Sequence, residues 1–324
     1  MKKRIGTDAL GIGATVFALL AACSGSQPPS GAPSALPQTR AAATHVIRSG
    51  SWMLPEAKGK DLLYAAGSNL GSVDVFSFPA GKLVGTLTGF IMPAGECADA
   101  AGDVWVTDTT ARYIYEYAHG GTSPIATLSV PDDPLACSID PQTGNLAVTS
   151  GSNTVSIFRD ARGEPRSYSD DQIALWYFCA YDSMGNLFLS GENWEYRQKL
   201  VEQPYGESRF TPIAGVGGFP EDAPVVWDGQ YVAVQASASD YPANEMIERI
   251  RIAGREGTVE ETATFRNNPP ANSQFLTFRG DVVQGGIGGI GVWTYAPSGK
   301  IVKVIKSDPS VEFLGVAVSV AASR

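Results

Sequence analysis

The sequence predicts an all-β fold, a ring of six four-stranded antiparallel blades, and three observations support this prediction. Apolar residues occur in short runs bounded by Gly, Pro, Asn and Asp, which is typical of strands joined by turns. The 324 residues include 36 Gly and 21 Pro, which indicates many such turns. A segment of about 40 to 50 residues also recurs along the chain, and this is the length of one blade of a β-propeller.

The repeat predicts five of the six blades. It is clearest in CADAAGDVWVTDTTARYIYEYA, CSIDPQTGNLAVTSGSNTVSIF and CAYDSMGNLFLSGENWEYRQKL, which start at Cys97, Cys137 and Cys179. Each segment contains an apolar run, an Asp, a turn, a second apolar run, a polar tip and a third run. Weaker copies begin at Ala223 (APVVWDGQYVAVQ) and Phe275 (FLTFRGDVVQGG). The first strands of five blades are therefore expected near Cys97, Cys137, Cys179, Val225 and Phe275.

The two ends of the repeat region predict the sixth blade. The last apolar run, FLGVAVSV from Phe313 to Val320, resembles a first strand with nothing after it. The runs LLYAAG, SVDVFSFP and KLVGTLTG, between Leu62 and Gly89, resemble the second to fourth strands of a blade that lacks its first. Pairing the C-terminal strand with the N-terminal blade closes the ring and leaves no open end of the array. The residues before Leu62, including Ser51–Met53, are expected to pack across the ring.

The repeat resembles that of NHL and streptogramin-lyase-like propellers, whose pattern joins G-hydrophobic-A-x-D to G-N-hydrophobic-aromatic-V-[ST]-[DE]. Here the pattern stands as CADAAGDVWVTD, CSIDPQTGNLAVTS and CAYDSMGNLFLSGE. The resemblance covers about Asp61 to Arg324 and implies the propeller fold. Lyases of this group use a catalytic His and a Glu on the propeller face, and the related amidating lyases bind zinc through His. The chain contains only His45 and His119, and neither is expected at the entry to an inner strand, so we assign no catalytic residue.

The first 50 residues are predicted to lie outside the propeller domain, which we place at 51–324. Basic residues at positions 2–4 precede an apolar stretch, Ala9 to Leu20, that is short for a membrane span. The next residues, Leu-Ala-Ala-Cys23, resemble a bacterial lipobox. This resemblance implies that residues 1–22 are a lipoprotein signal peptide and that Cys23 is lipidated, a plain secretory signal being the alternative.

The segment 23–50 is predicted to be a flexible tether, because it is rich in Ser, Pro and Ala and has little to bury. The expected location is the bacterial cell envelope, where the lipid anchor would hold the protein on a membrane facing the periplasm or the exterior.

The three remaining cysteines are expected to be buried apolar side chains. Cys137 and Cys179 stand three residues before the repeated Asp, whereas Cys97 stands two before it and is expected to face the other way. A disulfide needs Cα atoms within about 7 Å, and inner strands of neighbouring blades are expected to lie farther apart. A disulfide between Cys137 and Cys179 is the alternative.

Two further motifs are predicted to be turns rather than sites. The repeated Asp99, Asp140 and Asp182 each precede a turn, where an Asp side chain can bind the backbone two residues on. GIGGIG, Gly286 to Gly291, has the spacing of a dinucleotide-binding loop, but a strand-like run, VWTYAP, follows where that loop requires a helix. We therefore expect a glycine hairpin.

Acidic residues collect in loops that are expected on one rim of the ring. The candidate ligand-binding residues are Asp108, Asp132, Asp133, Asp170, Asp171, Glu192, Glu221 and Asp222. Other acids expected on this rim are Glu96, Asp240, Asp308 and Glu312. Clustered carboxylates suit Ca²⁺, and resemblance to gluconolactonase-like propellers implies a metal near the axis. Solvated turn acids without a ligand are the alternative.

The composition and the fold together predict a binding or protein-interaction module. The formal net charge of −9 argues against nucleic acid as a partner, because phosphates are bound by basic surfaces. The expected partners are a membrane, through the lipid, and an envelope protein or small molecule, and the protein is expected to be a monomer. The alternative is a lyase or lactonase-type enzyme that uses the rim carboxylates with a divalent cation.

Overall fold

The computed structural model describes residues 50–236, 244–266, 273–295 and 299–322. Cys23, His45 and Asp240 lie outside these residues, as do the signal peptide and nearly all of the tether, so those predictions stay predictions. No helix in the described part of the chain has the length and apolar character needed to cross a membrane.

The described strands form six sheets, which we number as blades 1 to 6. Blade 1 contains β1 (Trp52–Met53), β2 (Leu62–Gly67), β3 (Ser72–Ser77), β4 (Lys82–Thr88) and β25 (Phe313–Ser319). Blade 2 contains β5 (Pro93–Ala98), β6 (Val104–Asp108), β7 (Tyr113–Tyr117) and β8 (Pro124–Ser129). Blade 3 contains β9 (Pro134–Ile139), β10 (Leu146–Ser150), β11 (Thr154–Phe158) and β12 (Arg166–Ser169).

The other three blades follow in chain order. Blade 4 contains β13 (Ile173–Tyr181), β14 (Leu187–Asn193), β15 (Gln198–Gln203) and β16 (Thr211–Pro212). Blade 5 contains β17 (Val225–Trp227), β18 (Val232–Ala236), β19 (Asn244–Ala253) and β20 (Glu256–Arg266). Blade 6 contains β21 (Phe275–Phe278), β22 (Asp281–Gly286), β23 (Gly289–Thr294) and β24 (Ile301–Lys306). Two 3₁₀ turns, Pro55–Gly59 and Arg159–Ala161, complete the described elements.

The predicted six-bladed propeller is confirmed, including its closure. β25 pairs antiparallel with β2, from Leu62 opposite Ser319 to Gly67 opposite Phe313. The expectation for Trp52 and Met53 is wrong: they do not cross the ring but pair with β4 as an additional outer strand. Gly85 in β4 makes this pairing possible, because a Cβ there would collide with Met53.

The core lies in the six seams between neighbouring blades. Every residue of β2, β6, β10 and β18 is buried, because a second strand is covered by a blade on each face and by strands on each edge. The outermost strands β8 and β12 are mostly exposed. This explains why the clearest repeat signal in the sequence is the second strand, a continuous apolar run rather than an alternating one.

Threonine hydroxyls link successive blades near the axis. Thr107 donates to the Leu135 carbonyl of the next blade, at 3.1 Å. Thr149, at the matching position of blade 3, donates to the Tyr177 carbonyl of blade 4, at 2.7 Å. Both hydroxyls also contact the first strand of their own blade, through Gly95 and Ala136. These buried bonds fix the first strands relative to one another.

The predicted turns are confirmed. The side chains of Asp99, Asp140 and Asp182 each accept a hydrogen bond from the amide two residues on, at 2.8 to 2.9 Å. The strands β22 and β23 meet at a turn containing Gly288, which has a φ of +78°. GIGGIG is therefore a hairpin, and it is followed by a strand and not by a helix.

The cysteine expectation is wrong for two of the three residues. Cys97 and Cys137 form a disulfide with Cα atoms 5.7 Å apart, and Cys179 is free and buried. The inner strands approach more closely than expected because glycines lie between them: a Cβ on Gly95 would collide with the Leu135 carbonyl, and one on Gly315 with the Ala94 carbonyl. At this separation the opposite-facing side chains of Cys97 and Cys137 meet in the seam.

Candidate functional site

Two cavities lie along the axis of the ring, within the circle of first strands. The upper cavity, about 190 Å³, is lined by apolar residues and by Tyr177 and Asp222. The lower cavity, about 270 Å³, includes Glu96 and Gln274 in its wall. In the wall of the lower cavity the Gln274 side chain joins blade 6 to blade 2, because it accepts from the Glu96 amide at 3.0 Å and donates to the Glu96 carbonyl at 2.7 Å. The polar groups of the upper cavity are therefore those of Tyr177 and Asp222.

The mouth of the upper cavity brings together one phenol and two carboxylates. Tyr177 lies in β13, Glu192 lies near the end of β14, and Asp222 lies in the loop before β17 with a φ of +56°. The Tyr177 hydroxyl lies close enough to the carboxylates of Glu192 and Asp222 for both to act on its pKa. We call these three residues the mouth cluster. They lie on the upper rim, which is formed by the loops that enter first strands and those that join second to third strands.

The electrostatics of the mouth cluster favour a positively charged ligand. Burial, followed by the nearby charges of Glu221 and Glu192, raises the pKa of Asp222, and only the bond from Tyr177 opposes this. Burial and the two carboxylates raise the pKa of Tyr177, so its hydroxyl stays protonated. One phenolic proton cannot be donated to both carboxylates at once. A cation at the mouth would supply the missing positive charge.

Three of the predicted ligand residues are occupied by local contacts. Asp108 is fully buried and accepts hydrogen bonds from the amides of Ile91 and Met92, at 2.8 and 2.9 Å. Asp132 accepts from the Ser152 hydroxyl at 2.9 Å. Asp133 forms an ion pair with Arg112 at 2.8 Å. These acids hold the loops of the upper rim.

The other predicted residues lie on the same rim. Asp170 accepts from the Gln172 amide, and the backbone carbonyl of Asp171 accepts from the Trp194 indole at 2.9 Å. This contact orients Trp194, whose side chain is 67% exposed. Glu221 is exposed beside Asp222. Of the eight predicted acids, the structure thus brings Glu192 and Asp222 together around Tyr177 and places Glu221 beside Asp222.

Sequence reasoning missed Tyr177, the residue that joins the two acids. Its signal was the aromatic run Trp176-Tyr177-Phe178 inside a first strand, where blades 2 and 3 carry the non-aromatic residues Pro93–Gly95 and Pro134–Ala136. The strand pairing shifts between Trp176 and Phe178, and such a bulge redirects a side chain. Only the register of the sheet reveals this change of direction.

A second acidic group lies on the opposite, lower rim. Carboxylate oxygens of Asp99, Asp103 and Glu116 lie within 4.8 Å of one another, and among the described residues only this group has spacing suited to a metal ion. Burial and the neighbouring Asp99 raise the pKa of Asp103. Asp99 also stabilises the turn that follows it, because its side chain accepts hydrogen bonds from the Ala101 and Asp103 amides. The predicted Ca²⁺ on the upper rim stays a prediction.

Comparison with solved structures supports the architecture. A chain of the crystal structure of a nidogen/laminin complex is similar with a TM-score of 0.63 and 11% identity, over 81% of this chain and 100% of that one. A functionally unknown protein from Desulfotomaculum acetoxidans DSM 771 gives 0.55 and 13%, over 79% and 98%. Hydrazine synthase from Kuenenia stuttgartiensis gives 0.53 and 13%, over 75% of each chain. At these identities the similarity shows the fold alone.

The sequence matches no family model and no curated protein. The chain is thus a six-bladed β-propeller, and its function must be argued from its own residues.

Proposed function

We propose that this protein is a binding module of the bacterial cell envelope whose upper face binds a partner through a cationic group. The observation that carries this proposal is the mouth cluster, in which the Tyr177 hydroxyl interacts with the carboxylates of Glu192 and Asp222, and burial and these carboxylates raise its pKa. Two carboxylates held at the entrance of a small pocket form a site for an ammonium or guanidinium group.

The charge balance of the upper rim supports a cationic partner. The basic residues Arg112 and Arg197 are already paired there, with Asp133 and Glu195. Among the described ion pairs, none includes Glu192 or Asp222. The rim therefore keeps an excess of negative charge that attracts positive ligands and speeds their association.

The pocket beneath the mouth supports a ligand with an apolar stem. Leu135, Phe178 and Leu314 line it together with Ala94 and Gly95. A lysine side chain has this combination of an alkyl stem and a charged end. The exposed ring of Trp194 on the same rim offers a further surface for a cation or for a peptide.

Two observations support the cell-envelope location, and two others support the interaction role. The lipobox-like sequence at Cys23 implies a lipid anchor, and the tether would hold the propeller away from the membrane. The NHL-like repeat supports a binding propeller. The disulfide between Cys97 and Cys137 suits an oxidising compartment outside the cytoplasm. The propeller of the nidogen/laminin structure comes from a protein complex, in line with an interaction role.

The alternative is an enzyme, a lyase or lactonase, that uses these carboxylates with a divalent cation such as Ca²⁺. One observation favours it: burial raises the pKa of Asp222, and such a carboxylate can exchange protons nearer neutral pH. Titration with Ca²⁺, followed by EDTA, tests this version. The absence of both binding heat and a shift in melting temperature would exclude it.

Calorimetric titration with oligolysine, and with oligoglutamate as the opposite charge, tests the binding proposal. Oligolysine should bind in a salt-dependent manner, and Asp222→Asn or Glu192→Gln should weaken binding about tenfold, as expected for loss of one partner of a charge pair. The matched control is Glu207→Gln on the lower rim, which should bind like the wild type. Equal binding of both peptides, or unchanged binding by both mouth variants, contradicts the proposal.

The anchor is tested separately by replacing Cys23 with Ser. The variant should move from the membrane fraction to the soluble fraction, because the lipobox resemblance implies that the lipid is attached at this cysteine. Unchanged membrane association would refute the lipid anchor, and the binding proposal would not be affected.

A further inference from the structure

We infer that the groove between blades 3 and 4 on the lower rim is a second binding site, and that its ligand is an uncharged pyranose saccharide. The groove has a volume of about 380 Å³. It opens between the turn at Asp140, the outer strand β12 and the loop that follows β15. It shares no residue with the mouth cluster, so the two sites can be tested independently.

The floor of the groove contains a buried amide that lacks a hydrogen-bond acceptor. Gln203 is the last residue of β15, on the same face as Val201, which packs in the seam with blade 3. Its side chain is only 4% exposed, and its Nε2 group has no partner among the described residues. A buried NH₂ group without an acceptor is unfavourable. A ligand hydroxyl reaching the floor would supply that acceptor.

Three tyrosines provide aromatic surfaces around this amide. Tyr181 is 8% exposed, Tyr168 is half-buried and Tyr205 is 58% exposed. The ring of Tyr205 lies against Gly185, where a Cβ would come within 2.7 Å of it. Gly185 thus lets the Tyr205 ring approach the backbone closely, while much of the side chain stays exposed to a ligand. The C–H face of a pyranose ring packs on such an aromatic face.

The edge of the groove carries both a positively charged donor, Arg166, and a negatively charged acceptor, Asp140. Arg166 lies over the ring of Tyr168, 4.9 Å from its centre, and no described ion pair includes it. Asp140 already accepts from the Gln142 amide and the Thr143 hydroxyl.

This balance of charge selects among ligand classes. Glu207, paired with Arg209, and Asp140 would repel an anion. An apolar ligand would leave the Gln203 amide without an acceptor. A ring of hydroxyl groups with one apolar face satisfies the donors, the acceptors and the tyrosines together.

The test is saturation-transfer NMR and calorimetry with three probes: methyl β-D-glucopyranoside, N-acetyl-D-glucosamine and D-glucuronate. At least one neutral sugar should bind saturably, with magnetisation transferred to its ring protons. Tyr205→Ala should weaken this binding about tenfold or more, whereas Tyr205→Phe, which keeps the ring, should retain it. Gln203→Leu should also weaken it, and its melting curve checks that the variant folds.

The matched control for position is Asp222→Asn in the mouth cluster, which should bind the sugar like the wild type. Absence of saturable binding by both neutral sugars overturns the proposal. So does sugar binding that Tyr205→Ala leaves unchanged. Binding of glucuronate alone would show an anion site centred on Arg166 and would also overturn it.

Discussion

Cys137 bonds to Cys97 of the preceding blade, and Cys179 holds the same position one blade further on. The sulfur of Cys137 lies 3.9 Å from the Trp105 carbonyl, and that of Cys179 lies 3.9 Å from the Ala147 carbonyl. Trp105 and Ala147 are matching residues of the second strands. The seam between blades 3 and 4 therefore repeats the geometry of the disulfide seam, without its second cysteine.

Ser138→Cys is expected to form a second disulfide, with Cys179. Ser138 lies opposite Ala147, as Cys97 lies opposite Trp105. The new bond should stabilise the protein by up to about 3 kcal/mol, because it closes a long loop in the unfolded chain. Loss of the hydrogen bond that Ser138 accepts from the Tyr181 amide reduces this gain. Thiol titration of the denatured protein, in a Cys23→Ser background, should find no free thiol.

The control for this prediction is Ser138→Ala, which should leave the single thiol of Cys179 and give no stabilisation. Two free thiols in the Ser138→Cys variant would show that the two seams are not equivalent.

Glu96→Gln is expected to stabilise the protein at neutral pH and to have little effect near pH 4. Glu96 is fully buried, and its carboxylate oxygens have no hydrogen-bond partner among the described residues. Burial raises its pKa well above 4.5, and the nearby backbone of Ala66 opposes this only in part. The native state therefore binds the proton more tightly than the unfolded state. The resulting contribution to the free energy of unfolding is lost as pH rises from 4.5 through the folded pKa of Glu96.

Each unit by which the folded pKa exceeds the unfolded one corresponds to about 1.4 kcal/mol. Urea unfolding at pH 4 and pH 7.5 measures the difference between Glu96→Gln and wild type. Glu195→Gln, an exposed residue paired with Arg197, serves as the control and should change stability little at either pH. Equal effects of Glu96→Gln at both pH values would contradict the expected protonation.

Arg249→Leu is expected to cost about 3 to 5 kcal/mol in the free energy of unfolding. The guanidinium contacts Asp228 at 2.7 Å and Glu261 at 2.6 Å, and it packs over the rings of Tyr231 and Tyr295. The Asp228 side chain is 0% exposed, so the substitution leaves a buried carboxylate without its cationic partner.

Arg251→Leu, on the same strand, is the matched control. Arg251 is exposed and pairs with Glu260 at 2.6 Å, and exposed pairs contribute at most about 1 kcal/mol. Thermal unfolding measures the stability of both variants. Comparable losses of stability would contradict the prediction that the buried Arg249 pair contributes more than the exposed Arg251 pair.

Asp108→Ala is expected to reduce stability by about 1 to 3 kcal/mol without weakening oligolysine binding. The change removes the acceptor of the Ile91 and Met92 amides, and a lost acceptor has a cost of that order. Asp132→Ala, which loses one bond to Ser152, should cost less. A folded Asp108→Ala variant that no longer bound oligolysine would restore Asp108 to the ligand-binding residues that the sequence suggested.

The architecture could be predicted from the sequence because it depends on short-range signals. Runs such as VWVTD and LAVTS, each followed by a polar tip, recur at blade spacing and are buried in full. The side-chain bonds of Asp99, Asp140 and Asp182 span only two residues, so the local sequence is enough to predict them. The upper-rim position of Glu192 and Asp222 follows from strand order alone.

The site itself could be predicted only in part, because it depends on distances between blades. Asp108 and Asp222 look alike in the sequence, yet one is fully buried under backbone amides and the other faces Tyr177. The disulfide likewise depends on the close approach that Gly95 and Gly315 allow.

The sequence by itself determined the number of blades, their strand order and the closure of β2 by β25, because hydrophobic period and turn chemistry are properties of neighbouring residues. Only the tertiary structure decided which acids meet at the mouth, which cysteines bond and which groove exposes the Gln203 amide to a ligand. Those relationships join residues on different blades, and they are set by how closely the inner strands pack around the axis.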